Sequence, residues 1–165
     1  MRLDDLDLRL LALLSERPRI GDLELSRLAG VARGTVTSRL ARLVDAGVIR
    51  GYEPQVDLAA AGFAVHAFVS LQIAQGRLED VRRGLEQVPE VIEAYATTGD
   101  HDVFCKVAAR SHEGLQQALL AVDTVDGVTR SNSIVVLSEV VARRVLPLLH
   151  TGDPPDPARA APPTP

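Results

Sequence analysis

The sequence predicts an α+β chain of two modules, a three-helix unit followed by a sheet in the order βαββαβ, and three observations predict it. Residues 20–50 (IGDLELSRLAGVARGTVTSRLARLVDAGVIR) carry two short apolar-periodic segments on either side of a break at Gly30-Val31-Ala32. From residue 65 onward the apolar pattern switches between strict alternation and helical spacing, strand to helix to strand, twice over. Apolar residues make up 46% of the 165, but aromatics only 3%, and Trp is absent. Both cores must therefore be packed from Leu, Val, Ile and Ala.

Taken in order, Leu6, Leu10, Leu13 and Leu14 have the spacing of one helix face, with Asp4 and Asp5 near its start and Arg17-Pro18 at its end. A second helix runs from Asp22 to Ala29, with Leu23, Leu25 and Leu28 available to the core, and Gly30 makes the turn. A third spans about Arg33 to Ala46 and ends at Gly47, the residue type that suits a left-handed cap. Ala32 is a poor N-cap, so this helix is expected to begin nearer Gly34. Val48 to Tyr52 reads as a short extended piece. This sets a first domain at 1–52, a winged helix-turn-helix, and a linker at 53–64 (EPQVDLAAAGFA). The second domain, 65–142, opens with a strand from His66 to Ile73, in which Ala67, Val69, Leu71 and Ile73 alternate with Phe68, Ser70 and Gln72. Leu78, Val81, Leu85 and Val88 mark a helix stopped by Pro89. Strands at Val91–Thr97 and Val103–Ala108 flank a tight turn at Gly99-Asp100-His101-Asp102. Leu115, Ala118, Leu119 and Val122 give a second helix, and Val128 to Val141 a long last strand. That order is the ferredoxin-like arrangement, four antiparallel strands with both helices on one face. The tail at 151–165, with six prolines in fifteen residues, is expected to be disordered.

A helix-turn-helix lays its second helix in the major groove, so double-stranded DNA is the expected partner. The net charge of −4 hides a division: residues 1–50 hold nine Arg against seven acids, and residues 51–165 hold nine basic against fifteen acidic side chains. The positive excess lies with the reading helix. In that helix Val36, Leu40 and Leu43 share a core face, which leaves Thr35, Ser38, Arg39 and Arg42 facing outward, Thr37 at the boundary and Arg33 at the helix start. Arg suits guanine O6 and N7, while Thr and Ser suit phosphate or a base edge. Which of Arg33, Thr35, Thr37, Ser38, Arg39 and Arg42 reads bases and which touches phosphate stays open.

A single cysteine, Cys105, excludes an intrachain disulfide and a cysteine-built zinc cluster, and its alternation with Val103 and Val107 makes it a buried thiol. His66, His112 and His150 lack metal-ligand spacing, so no metal is expected. No nucleophile-base-orienter set, phosphate-binding loop or dinucleotide fingerprint is present, which argues against an enzyme and leaves no cofactor expected. No apolar run reaches membrane-spanning length and the N-terminus carries acids where a secretion signal is basic, so the expected location is the cytoplasm. The apolar end of the last strand, Ile134-Val135-Val136-Leu137, would be a sticky edge in a monomer, so at least a dimer is expected.

The opening LDDLDLRLLALL, the RIGDLELSRLAGV segment, the helix TVTSRLARLVDAGVIRGY, the TTGDHDVFCKV turn and the closing SNSIVVLSEV resemble the Lrp/AsnC family of bacterial and archaeal regulators over roughly residues 3–142. The resemblance implies a second module that dimerises through its sheet, assembles dimers into octamers or discs, and in many members binds an amino acid at a dimer–dimer contact around the turn. The implied effector residues are Thr98, Gly99, Asp100, His101 and Asp102, with Ser131 and Ser133 serving a neighbouring subunit. Glycine lets backbone approach a ligand and carboxylates accept from an α-ammonium, although a plain hairpin selects the same residue types. The chain departs from the family pattern at Ala32, where many members carry a capping Ser, and at His101, where the turn usually carries an aromatic. Sirohaem decarboxylases are similar in both modules and supply the alternative, an enzyme on the same two-module fold. They use histidines and arginines on the tetrapyrrole, and no dense Arg/Tyr/His cluster occurs in the second half here. A second module that only dimerises is a third reading.

Overall fold

Asp4 starts the chain's first helix, α1 (Asp5–Glu16), through a capping box: its carboxylate accepts from Asp7 N at 2.9 Å, and the Asp7 carboxylate accepts from Asp4 N at 3.1 Å. The computed structural model describes residues 1–150, so the tail expected to be disordered at 151–165 lies outside the described residues. These residues form two units, Met1–Pro54 together with the chain from Val141 on, and Gln55–Val140.

In the first unit α1 is followed by α2 (Asp22–Ala29) and α3 (Arg33–Asp45). Gly30 joins the latter two in the left-handed region at φ +71°, where Val31 N donates to Ser26 O at 3.1 Å and closes the turn. The core is Leu10, Leu25, Ala29 and Val36, with Leu6, Leu13, Leu14, Ile20, Val31 and Leu40 packed against it and Leu43 fully buried. Leu23, expected to be available to the core, is half-exposed, and Ala29 takes the inner position instead. α3 begins at Arg33, where the spacing places it and one residue before the start suggested by the poor cap, with Ala32 as an N-cap that makes no side-chain bond. Its end is capped by chain: Val48 N and Ile49 N both donate to Leu43 O, at 2.9 and 3.1 Å. The extended piece expected at 48–52 therefore spends its first amides on the helix and joins no strand ladder. A short α6 (Leu146–Leu149), absent from the sequence expectations, lies near α1 in this unit.

The second unit contains β1 (Val65–Ile73), α4 (Leu78–Leu85), β2 (Val91–Ala96), β3 (Val103–Ala109), α5 (His112–Asp123) and β4 (Val128–Val135). The four strands form one antiparallel sheet in the order β2-β3-β1-β4. Ala67, Val69 and Leu71 of β1 and Val103, Cys105 and Val107 of β3 point to the side covered by Val81 and Leu85 of α4 and by Leu115, Ala118 and Val122 of α5. The other side carries Phe68 stacked on Phe104, ring centroids 5.6 Å apart, with exposed Tyr95 and Ile134 beside them. Two expectations need correction. The last strand ends at Val135 rather than Val141, because β1 begins at Val65 and the last bond that it offers is Val136 N to His66 O at 2.9 Å. Residues 55–64, expected as part of a linker, fold within the second unit: Asp57 caps a turn through Ala60 N, and Arg110 lies over the Phe63 ring at 4.3 Å.

Candidate functional site

Two regions carry the residues singled out in the sequence, α3 in the first unit and the β2–β3 turn in the second. On α3, Val36 and Leu43 are fully buried, and the outer surface is Arg33, Gly34, Thr35, Ser38 and Ala41, all exposed. The helix start is open, since no side chain caps it, and free backbone N–H groups beside the Arg33 cation suit a phosphate. Thr37 does not face outward freely: its hydroxyl donates to Asp22 Oδ2 at 2.8 Å and ties α3 to the first turn of α2.

The arginines expected to face outward are not free: Arg39 is partly buried against α1, and Arg42 is exposed but bonded to it. Arg39 Nη1 donates to Asp4 and, at 3.2 Å, to Asp7 Oδ1. Arg42 Nη2 donates to both oxygens of Asp7, at 2.8 and 2.6 Å. The reason is helical geometry. Arg39 is three residues beyond Val36 and four before Leu43, so it borders the buried face, and Arg42 flanks it one turn on. The Asp7 side chain is 0% exposed, against 27% for Arg39 and 46% for Arg42. The Arg39 hydrogen bond, then the Asp7 amide, hold the Asp4 carboxyl down at about 2, and hydrogen bonds to Asp4 and Asp7 raise Arg39 above its usual value. The sequence reading missed Asp4 and Asp7 as partners. The available signal was acids at positions 4 and 7 of one helix facing arginines at 39 and 42 of another, two pairs with equal spacing.

In the second unit the turn is held by its own residues. Thr97 N donates to Asp102 O at 2.9 Å, the Thr97 hydroxyl donates to His101 O at 2.7 Å, and Asp102 Oδ2 accepts from Ile73 N at 2.8 Å. The Asp102 carboxylate, expected to meet an effector, is thereby committed to backbone. Gly99 sits at φ +107°, a conformation that L side chains rarely adopt. Beside the turn a cavity of about 320 Å³ is lined by Ser70, Gln72, Asp100, His101, Arg130, Ser131 and Asn132. Gln72 Nε2 donates to Asp100 O at 3.0 Å and fixes its wall. The Nδ1 of His101 is shielded from solvent with no hydrogen-bond partner among the described residues. Of the expected effector residues the structure brings Asp100, His101 and Ser131 together, and leaves Thr98, Gly99, Asp102 and Ser133 off the cavity wall. It adds Ser70, Gln72, Arg130 and Asn132. Register explains the loss of Ser133 and the two gains on β4: Ser133 pairs with Val69, whose side chain faces the helices, whereas Arg130 and Asn132 pair with Gln72 and Ser70 on the open face.

Comparison with known proteins matches two stretches of the chain. Residues 3–50 match the family model described as winged helix-turn-helix DNA-binding, and residues 66–146 match the Lrp/AsnC ligand binding domain. The chain belongs to the Lrp/AsnC family. It is 31% identical to the HTH-type transcriptional regulator FL11 of Pyrococcus furiosus over 82% of this chain and 89% of that protein. The structure of AsnC from Escherichia coli superimposes with a TM-score of 0.82 at 30% identity, covering 89% of this chain and all of that one. A Neisseria meningitidis transcriptional regulator, solved as an L-Met complex, gives 0.78 at 26% identity over 86% of this chain and 94% of that one. The Lrp/AsnC chain described here is accordingly a DNA-binding transcriptional regulator, and the decarboxylase-like alternative is not favoured. Among its described residues no helix is long and apolar enough to cross a membrane.

Proposed function

We propose that this regulator is a cytoplasmic homodimer, assembling further into an octamer, that binds specific double-stranded DNA sites and changes its assembly or its DNA affinity when an amino acid binds its second unit. Arg33, Thr35 and Ser38 are the side chains proposed to meet DNA, because they lie on the exposed outer face of α3. A two-fold dimer presents two such helices to successive major grooves, so the operator is a near-palindrome with half-sites one or more helical turns apart. The apolar open face of the sheet, with Phe68, Phe104, Tyr95 and Ile134, is the surface that self-association would cover.

The observation that carries the effector reading is the cavity beside the turn. It holds a carboxylate, Asp100, for an α-ammonium and a guanidinium, Arg130, for an α-carboxylate, with the unpartnered His101 Nδ1 between them in the chain. The L-Met complex of the Neisseria relative supports an amino acid as the ligand class. The test is a thermal-melting screen of the purified protein against the twenty amino acids, with light scattering of any hit. A ligand that raises the melting temperature in the wild type, and not in Arg130→Ala, is the expected result. Twenty silent amino acids at millimolar concentration would leave a regulator without an amino-acid effector.

A further inference from the structure

The acidic pair on α1 is the feature that the functional reading does not absorb. Asp7 is a carboxylate with 0% exposure in a small helical unit, and burying one is costly unless the charge is met. It is met twice over, by Arg39 and by Arg42, while Asp4 takes a second contact from Arg39. Two carboxylates and two guanidiniums cancel, and both cations of the middle of α3 are turned back on α1. Over its first two turns α3 then presents Gly34, Thr35, Thr37, Ser38 and Ala41 outward, small or hydroxylated residues beside the Arg33 cation, while the half-exposed Arg42 guanidinium further along is spent on Asp7.

Resting on the DNA-reading proposal, we infer that Asp7 is a positioning residue that sets selectivity by withholding two arginines from the phosphate backbone. Sequence-independent affinity grows with the number of phosphates neutralised, and each adds about 0.9 to the slope of log affinity against log salt. A reading helix with Arg39 and Arg42 free would add such contacts on every duplex alike. With both held by Asp7, the helix docks through short side chains whose fit depends on the bases beneath them. The same clasp fixes the rotation of α3 about its axis, since the two guanidiniums lie three residues apart on one flank. Asp7 touches no DNA in this account and acts through Arg39 and Arg42.

The experiment takes a duplex selected from a random pool by the full-length wild type and a scrambled duplex of equal length, and measures affinity for both from 50 to 300 mM salt. The Asp7→Asn variant is expected to bind the scrambled duplex with a salt slope steeper by about one to two, and to lose at least tenfold in the ratio of selected to scrambled affinity. A role in stability alone would lower both affinities and leave the slope unchanged. A folded Asp7→Asn with wild-type slope and ratio overturns the inference. Should Asp7→Asn fail to fold by circular dichroism, Arg42→Gln decides, since a guanidinium withheld from phosphate adds nothing to the slope: a scrambled-duplex slope equal to the wild type's supports the withholding, and a slope shallower by about one overturns it. A wild type with no preference for any selected duplex would overturn the DNA-reading proposal and this inference with it, whereas a selective wild type matched by Asp7→Asn overturns this inference alone.

Discussion

The Asp4 carboxyl titrates at about 2 because the Arg39 guanidinium and the Asp7 amide favour its charged form. A folded-state pKa below the unfolded one contributes stability that is complete above about pH 4 and is lost as pH falls toward 2. Melting of the first unit is expected to drop more steeply between pH 4 and pH 2 in the wild type than in Asp4→Asn, followed by circular dichroism. Asp7 is worth more, since its oxygens serve two guanidiniums and one amide. Asp7→Ala should cost about 2–3 kcal/mol in chemical denaturation, less than a fully buried pair because Arg42 is half-exposed and its freed guanidinium can reach water. At Cys105 burial alone pushes the thiol up to about 11. Its reaction with a thiol reagent at neutral pH should therefore follow unfolding, and rapid labelling of the native protein would contradict the burial. These residue-scale features were only half legible in sequence. The thiol followed from alternation along one strand, whereas the arginine clasp needed the crossing of α1 and α3, which no spacing within α3 reveals.

At the scale of elements, each helix and strand ends where its partners end. β4 stops at Val135 although its apolar sequence runs on through Leu137, because β1 has no further backbone to offer. Leu137 is 97% exposed as a consequence. α4 meets the end of α5 at Gly84, where an added Cβ would lie 2.4 Å from Val125 Cγ1. Alanine favours a helix over glycine by about 1 kcal/mol, yet overpacking costs about 1–3 kcal/mol. Gly84→Ala is expected to lower stability by about 1–2 kcal/mol in urea denaturation. The double variant Gly84→Ala with Val125→Ala should recover part of that loss, and a stabilised single variant would show that Val125 yields freely. The six main elements of the sheet and its helices were read from period alone, since alternation and helical spacing each mark which face is buried. The wing segment was not, because whether Val48 and Ile49 bond a strand or the end of α3 depends on what lies opposite.

For the whole molecule, the open face of the sheet sets the expected behaviour in solution. Phe68, Phe104, Tyr95 and Ile134 gather on it from four strands, an apolar surface of the kind that partners cover. Light scattering is expected to give a dimer or a larger species, and Ile134→Asp to shift the distribution toward smaller ones. A wild type that runs as a monomer at micromolar concentration would remove the palindromic-operator expectation with it. The cavity proposed for the effector belongs to this scale as well, because it is assembled from β1, β4 and the turn between β2 and β3. Ligand binding there and cover of the open face are neighbours on the same side of the sheet. An effector-dependent change in assembly size is the measurement that would link them.

The sequence by itself determined the fold class, the order of the main elements, most of the core and the family, since these follow from local periodicity, turn residues and motif order. Only the tertiary structure decided which polar side chains are available. Arg39 and Arg42 are outward on paper and clasped by Asp7 in the fold. Ser133 and Asp102 are expected at the ligand and are turned away or spent on backbone, while Arg130 and Asn132 take their place. The physical reason is common to both sites. Apolar burial is dictated by the period of one element, but the partner of a charged or hydroxyl group is set by where a second element crosses it, and that crossing exists only in three dimensions.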